Sequence, residues 1–146
     1  MTRGTGFTLI EVMIVLVIMC LLAALAYPGY AGYVTKTRRT EGQVALLTAM
    51  QQQEHHYAVH QSYVAFSRGA PIAGLAWWSG NSAPGSAYEL EAQACPDGGL
   101  RDCVQISPRP GTANVDARFS DPECGTLTLS STGEQGASGA GKRCWP

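Results

Sequence analysis

The stretch from Gly6 to Tyr33, GFTLIEVMIVLVIMCLLAALAYPGYAGY, restricts the fold of this chain more than any other. Val12 to Tyr27 is a run of sixteen residues without a charge. As a helix rising about 1.5 Å per residue, it covers about 24 Å, short of the roughly 30 Å hydrocarbon core of a bilayer. A helix begun at Phe7 has twenty-one residues to Tyr27 and reaches about 31 Å, which is enough. The span therefore holds Glu11 near its first turn. A carboxylate at that depth is costly and calls for a specific partner.

Composition bounds the remainder. The 146 residues suit one domain, and setting aside a segment of about thirty leaves a modest core. Seventeen glycines and eight prolines predict a loop-rich C-terminal half. With 14% of residues charged, the chain is not a disordered polyelectrolyte, and a net charge of −1 gives no support for a strongly basic nucleic-acid binder. Of five cysteines, Cys20 lies in the apolar run and reads as a small hydrophobe. Cys95, Cys103, Cys124 and Cys144 lie in the polar half, and their even number predicts two disulfides formed outside the cytoplasm. The competing zinc reading lacks any C-x₂₋₄-C pair, and the residues alone leave three connectivities open.

Pro28 interrupts the helical pattern and predicts a kink or a break, softened further by Gly29 and Gly32. From Val34 to about His60 the pattern is amphipathic. Leu46, Met50, Gln53 and Tyr57 follow helical spacing with Val44 and Leu47 beside them, and this face should lie on a sheet. Lys36, Arg38, Arg39 and Glu41 read as solvated first turns. His56 and His60 share a face at a spacing that suits a metal, but no third ligand is placed, so no metal or other cofactor is expected.

Gln61 to Ser86 reads as a long connection whose Trp77-Trp78 pair either pins it to the helix or meets another subunit. Alternation then marks strands at Tyr88–Ala94, Val104–Ser107 and Thr126–Ser130, with a turn at Ser131-Thr132-Gly133 and a short last strand near Gln135. Asp97-Gly98-Gly99 makes the first two strands a hairpin that Cys95 and Cys103 could staple. Asp97 and Asp102 lack the ordered acidic loop of a calcium site. The fold class is α+β: a long N-terminal helix, membrane-spanning in its first half and amphipathic in its second, packed on a small antiparallel sheet. No G-x-S-x-G, P-loop or H-E-x-x-H is present, and no catalytic residues are assigned.

The start GFTLIEVMIVLVI resembles the processing site and helix start of type IV pilins and their pseudopilin relatives. Tyr27-Pro28 and Tyr30 resemble the family's YPxY, while MQQQEHHYAVHQSY, CGTLTLSSTGEQ and KRCW resemble minor pilins of the PilE type. The resemblance implies a leader at residues 1–6, a membrane and filament-core helix at 7–33, and a globular pilin domain at 34–146 that includes the amphipathic half-helix. It implies cleavage by prepilin peptidase between Gly6 and Phe7, N-methylation of Phe7, and assembly through Phe7, Glu11 and Pro28, with Glu11 docking on a neighbour's Phe7 amine. Loss of Arg3 with the leader lowers the net charge to −2. The resemblance also favours a Cys124–Cys144 loop, which leaves Cys95–Cys103 for the hairpin.

The partners so implied are other pilin subunits, prepilin peptidase, the pilus assembly machinery and the inner membrane. The C-terminal domain is expected in the periplasm before assembly and on the pilus after it. Lys36, Arg38 and Arg39 behind the span count against that orientation by the positive-inside rule. The cysteines and the resemblance outweigh them.

Three other functions compete with a structural subunit. A type II secretion pseudopilin shares the same start. A competence pilin would bind DNA through Arg101, Arg109, Arg118, Lys142 and Arg143, which are scattered among acids. An exported enzyme would need an ordinary signal peptide cut after Ala24-Leu25-Ala26, but Glu11 interrupts its apolar region and Pro28 lies just beyond.

Overall fold

The computed structural model describes residues 7–146. One helix, α1 (Leu9–His60), precedes four strands: β1 (Tyr88–Ala94), β2 (Val104–Pro110), β3 (Leu127–Ser130) and β4 (Gln135–Ala137). The sheet is antiparallel throughout in the order β1-β2-β3-β4. The chain divides into two compact units, one ending at Lys36 and the other running from Thr37 to Pro146.

In the first unit every residue from Phe7 to Tyr27 is exposed. α1 is long and apolar enough to cross a membrane. The break expected at Pro28 is absent, because helix continues unbroken across that position. Pro28 removes one backbone hydrogen bond, and more than a turn of helix on either side carries the chain through.

The second unit holds the core. Leu46, Ala49, Met50 and Gln53 form the buried face of its helix, against Tyr88, Leu90 and Ala92 of β1 and Val104 and Ile106 of β2. Gly42 extends that face. A Cβ there would stand 2.7 Å from Cδ2 of Tyr88, so only glycine lets the helix sit this close. Val44 and Leu47, expected beside the packed stripe, are exposed. They lie roughly 100–200° around the helix from Leu46, too far to reach the sheet.

Gln53 is fully buried and bonds a connection segment as a strand would: its Nε2 donates to the Val64 carbonyl (2.6 Å) and its Oε1 accepts from the Val64 N–H (3.0 Å). Phe66 pairs with Ala92 and Trp78 with Glu89 as isolated bridges, so the long connection is tied along the outer edge of β1. Pro108 is tolerated in β2 because β3 reaches only Gln105 and Ile106, leaving no partner for a missing N–H.

Candidate functional site

The second unit carries two disulfide-closed loops, one at each end of its sheet. Cys95–Cys103 closes the β1–β2 hairpin, with Cα atoms 5.5 Å apart. Leu100 on that loop accepts the Tyr63 N–H (2.7 Å), close to the C-terminal end of α1. Cys124–Cys144 closes the C-terminal loop at the other end, with Cα atoms 5.4 Å apart. Glycine makes this second loop tight. Gly139 donates to the Cys124 carbonyl (2.9 Å), and a Cβ on Gly139 would lie 2.2 Å from the Glu123 carbonyl oxygen.

A buried charge cluster fixes the C-terminal loop to α1. Arg39 donates from Nε and NH2 to the two carboxylate oxygens of Asp121, both at 2.7 Å, and from NH2 to Glu123 (2.8 Å). Tyr88 donates its hydroxyl to Asp121 (2.8 Å), as does the Cys124 N–H (3.2 Å). Gln43, one turn beyond Arg39, donates to the Cys144 carbonyl (2.7 Å). The bond to Asp121 raises the Arg39 guanidinium above its ordinary range despite burial. Burial pushes the Asp121 carboxyl up, but the bonds from Arg39, Tyr88 and Cys124 overcome it and hold the group below the usual carboxylate range. Burial, then the neighbouring Asp121, raises the Tyr88 phenol.

Sequence reasoning placed Arg39 among solvated residues, and the structure corrects it: Arg39 is 6% exposed. Its partners stand 82 and 84 residues away, beyond any local pattern. One signal was available. Extending the buried face back from Leu46 by helical steps reaches Gly42 and then Arg39.

The five cations proposed for DNA do not form one stripe. Arg109 stands opposite Glu89 in the β1–β2 ladder and pairs diagonally with Glu91, and Arg118 lies near Asp116. Arg101, on the hairpin, and Lys142 and Arg143, on the C-terminal loop, are exposed, and no acid pairs with them among the described residues. The helix between those ends runs from Arg39 to His60, roughly 30 Å. Most acids of the unit have internal work: Glu41 accepts from Ser79 (2.6 Å), Glu54 from Tyr63 (3.0 Å), and Glu89 from Asn114 and Thr112.

Of the other assigned residues, Gly6 lies outside the described residues. Phe7 is exposed ahead of α1. Glu11 is exposed in the first turn, its N–H bonded to Thr8 Oγ1 (3.3 Å). Trp77 packs on the core edge under Arg68, and Trp78 lines a groove beside Val44 and Thr48.

Two family models match. The prokaryotic N-terminal methylation motif covers residues 1–27, and the model described as type IV minor pilin ComP, DNA uptake sequence receptor, covers residues 28–128. The chain belongs to the type IV minor pilins. No curated protein and no solved structure matches it at a significant level. As a minor pilin it is a structural subunit that associates with other pilins and the pilus machinery, and its apolar helix suits a membrane anchor later assembled into a pilus.

Proposed function

We propose that this minor pilin captures DNA at the pilus surface, its globular unit meeting phosphates through Arg101, Lys142 and Arg143. The observation that carries the reading is the match of residues 28–128 to a family described as a DNA uptake sequence receptor. The distribution of charge supports it. Lys142 and Arg143 stand exposed side by side on the C-terminal loop with no acid paired to them among the described residues, whereas Arg101 shares its hairpin with the exposed Asp97 and Asp102. In the same reading, prepilin peptidase cuts between Gly6 and Phe7, the anchored precursor holds its second unit in the periplasm, and Glu11 docks on the Phe7 amine of a neighbouring subunit.

The test is DNA retention by the full-length protein in detergent micelles across a salt series. Replacing Lys142 and Arg143 together by alanine should weaken binding on every sequence and reduce the slope of log K against log salt by about two. Arg109→Ala should change neither, because Glu91 already neutralises that side chain. Binding unaffected by the double replacement would move the contact off these two residues, and no salt-dependent retention at all would leave a purely structural subunit.

A further inference from the structure

We propose that His56 and His60 form a two-imidazole site for a divalent transition metal, with Cu²⁺ held more tightly than Ni²⁺ or Zn²⁺. The two rings stack near the end of α1 with centroids 4.1 Å apart and planes 15° from parallel. His56 Nδ1 is 2.8 Å from the Ser62 carbonyl oxygen, and His60 Nδ1 is 3.1 Å from the His56 carbonyl oxygen. A carbonyl only accepts, so each ring carries its proton on Nδ1. In the neutral ring that leaves the Nε2 lone pair free on both. This is the form in which imidazole binds a metal, and a carbonyl partner on the other nitrogen is the usual device for fixing it.

Geometry and surroundings agree. A metal about 2.0–2.1 Å from each nitrogen needs them within about 4.2 Å of one another. The stack holds the two Nε2 lone pairs side by side, so both rings must turn out of it about χ2, a soft torsion, to converge on one metal. Both rings line an open groove of about 570 Å³ with Gln51, Gln52 and His55, which leaves room for water to complete the coordination. No lysine, arginine or carboxylate lines that groove, so no cation repels the metal and no acid competes for it. Among the described residues no group of three His, Cys, Asp or Glu could hold a metal, so the protein supplies two ligands. Spacing alone argued against the pair for want of a third ligand; the fixed tautomers are what spacing does not reveal.

The experiment is a Cu²⁺ titration of untagged full-length protein in micelles, by calorimetry and electron paramagnetic resonance. One equivalent should bind with hyperfine structure from two imidazole nitrogens, and Mg²⁺ should not displace it. His60 is exposed, so His60→Ala keeps the fold, and it should weaken Cu²⁺ by about a hundredfold through loss of the second linked ligand. His55→Ala should leave affinity and spectrum unchanged. Undiminished affinity in His60→Ala, or an equal loss in His55→Ala, would overturn the site. His56→Ala, checked for helix content by circular dichroism, should repeat the His60 result.

Discussion

Each unit of this minor pilin contains one charge in an apolar setting, and the two are handled in opposite ways. Arg39 is enclosed by its own chain, with two oxygens of Asp121 and one of Glu123 within 2.8 Å. Glu11 has only apolar side chains after it in the helix for more than four turns, and all of them are exposed. A charge neutralised from within belongs to a unit that completes its own fold. A charge left open in an apolar helix suits a surface completed by something else, as the proposed docking of Glu11 requires.

The largest effect should separate these roles. Glu11→Ala should reach the membrane and form both disulfides, since removing a charge makes insertion easier. It should nevertheless drop out of the filament. Breaking one side of a buried ion pair costs about 3–5 kcal/mol, here at the stranded Phe7 amine, and lowers association by roughly two to three powers of ten. Comparing membrane and sheared-pilus fractions decides it. Equal incorporation of both forms would mean Glu11 is no docking charge.

Arg39→Ala should do the reverse, acting on folding before assembly. It leaves Asp121 buried without its main partner, at a cost of about 3–5 kcal/mol. The acid dependence should invert as well. In the parent the Asp121 value is lowered, so its contribution is present above the ordinary carboxylate range near pH 4 and is lost as pH falls through the lowered value. Without Arg39, burial dominates and protonation relieves the strain, so the deficit of the variant should shrink on acidification. Chemical denaturation at pH 7 and pH 4 measures both. A deficit that grows toward pH 4 would remove Arg39 as the group that holds Asp121 ionised.

The contrast also explains what the sequence could tell. Glu11 stood out because sixteen uncharged residues follow it, a pattern that needs no tertiary knowledge. The strands were legible for the same reason: Tyr88, Leu90 and Ala92 alternate with Glu89, Glu91 and Gln93, and burial alternates with them. Arg39 was hidden by its neighbours Lys36, Arg38 and Glu41, which look like a solvated turn, while its partners come from a loop that no periodicity locates. The cation pattern failed similarly. Arg109 looked available until the ladder set it opposite Glu89 and diagonal to Glu91, and register between strands is a long-range fact.

The smallest expected effect sharpens the comparison within the cluster itself. Tyr88 is fully buried, and its hydroxyl reaches the same Asp121 oxygen that Arg39 Nε holds. Tyr88→Phe keeps the ring that packs on Gly42 and removes one bond to a charged acceptor. Such bonds contribute about 1.5–3 kcal/mol, and the lower figure applies because Arg39 and the Cys124 N–H still satisfy the carboxylate. The sign of the alkaline dependence is fixed too. The Tyr88 value is raised in the folded state, so its contribution is complete below the ordinary phenol value near pH 10 and falls as pH climbs through the raised one. Phenylalanine has no such loss, and the gap between parent and variant should narrow above about pH 10. Denaturation midpoints taken at pH 7 and pH 10.5 provide the check: a loss as large as that of Arg39→Ala would make the hydroxyl, rather than the guanidinium, the group on which the cluster depends.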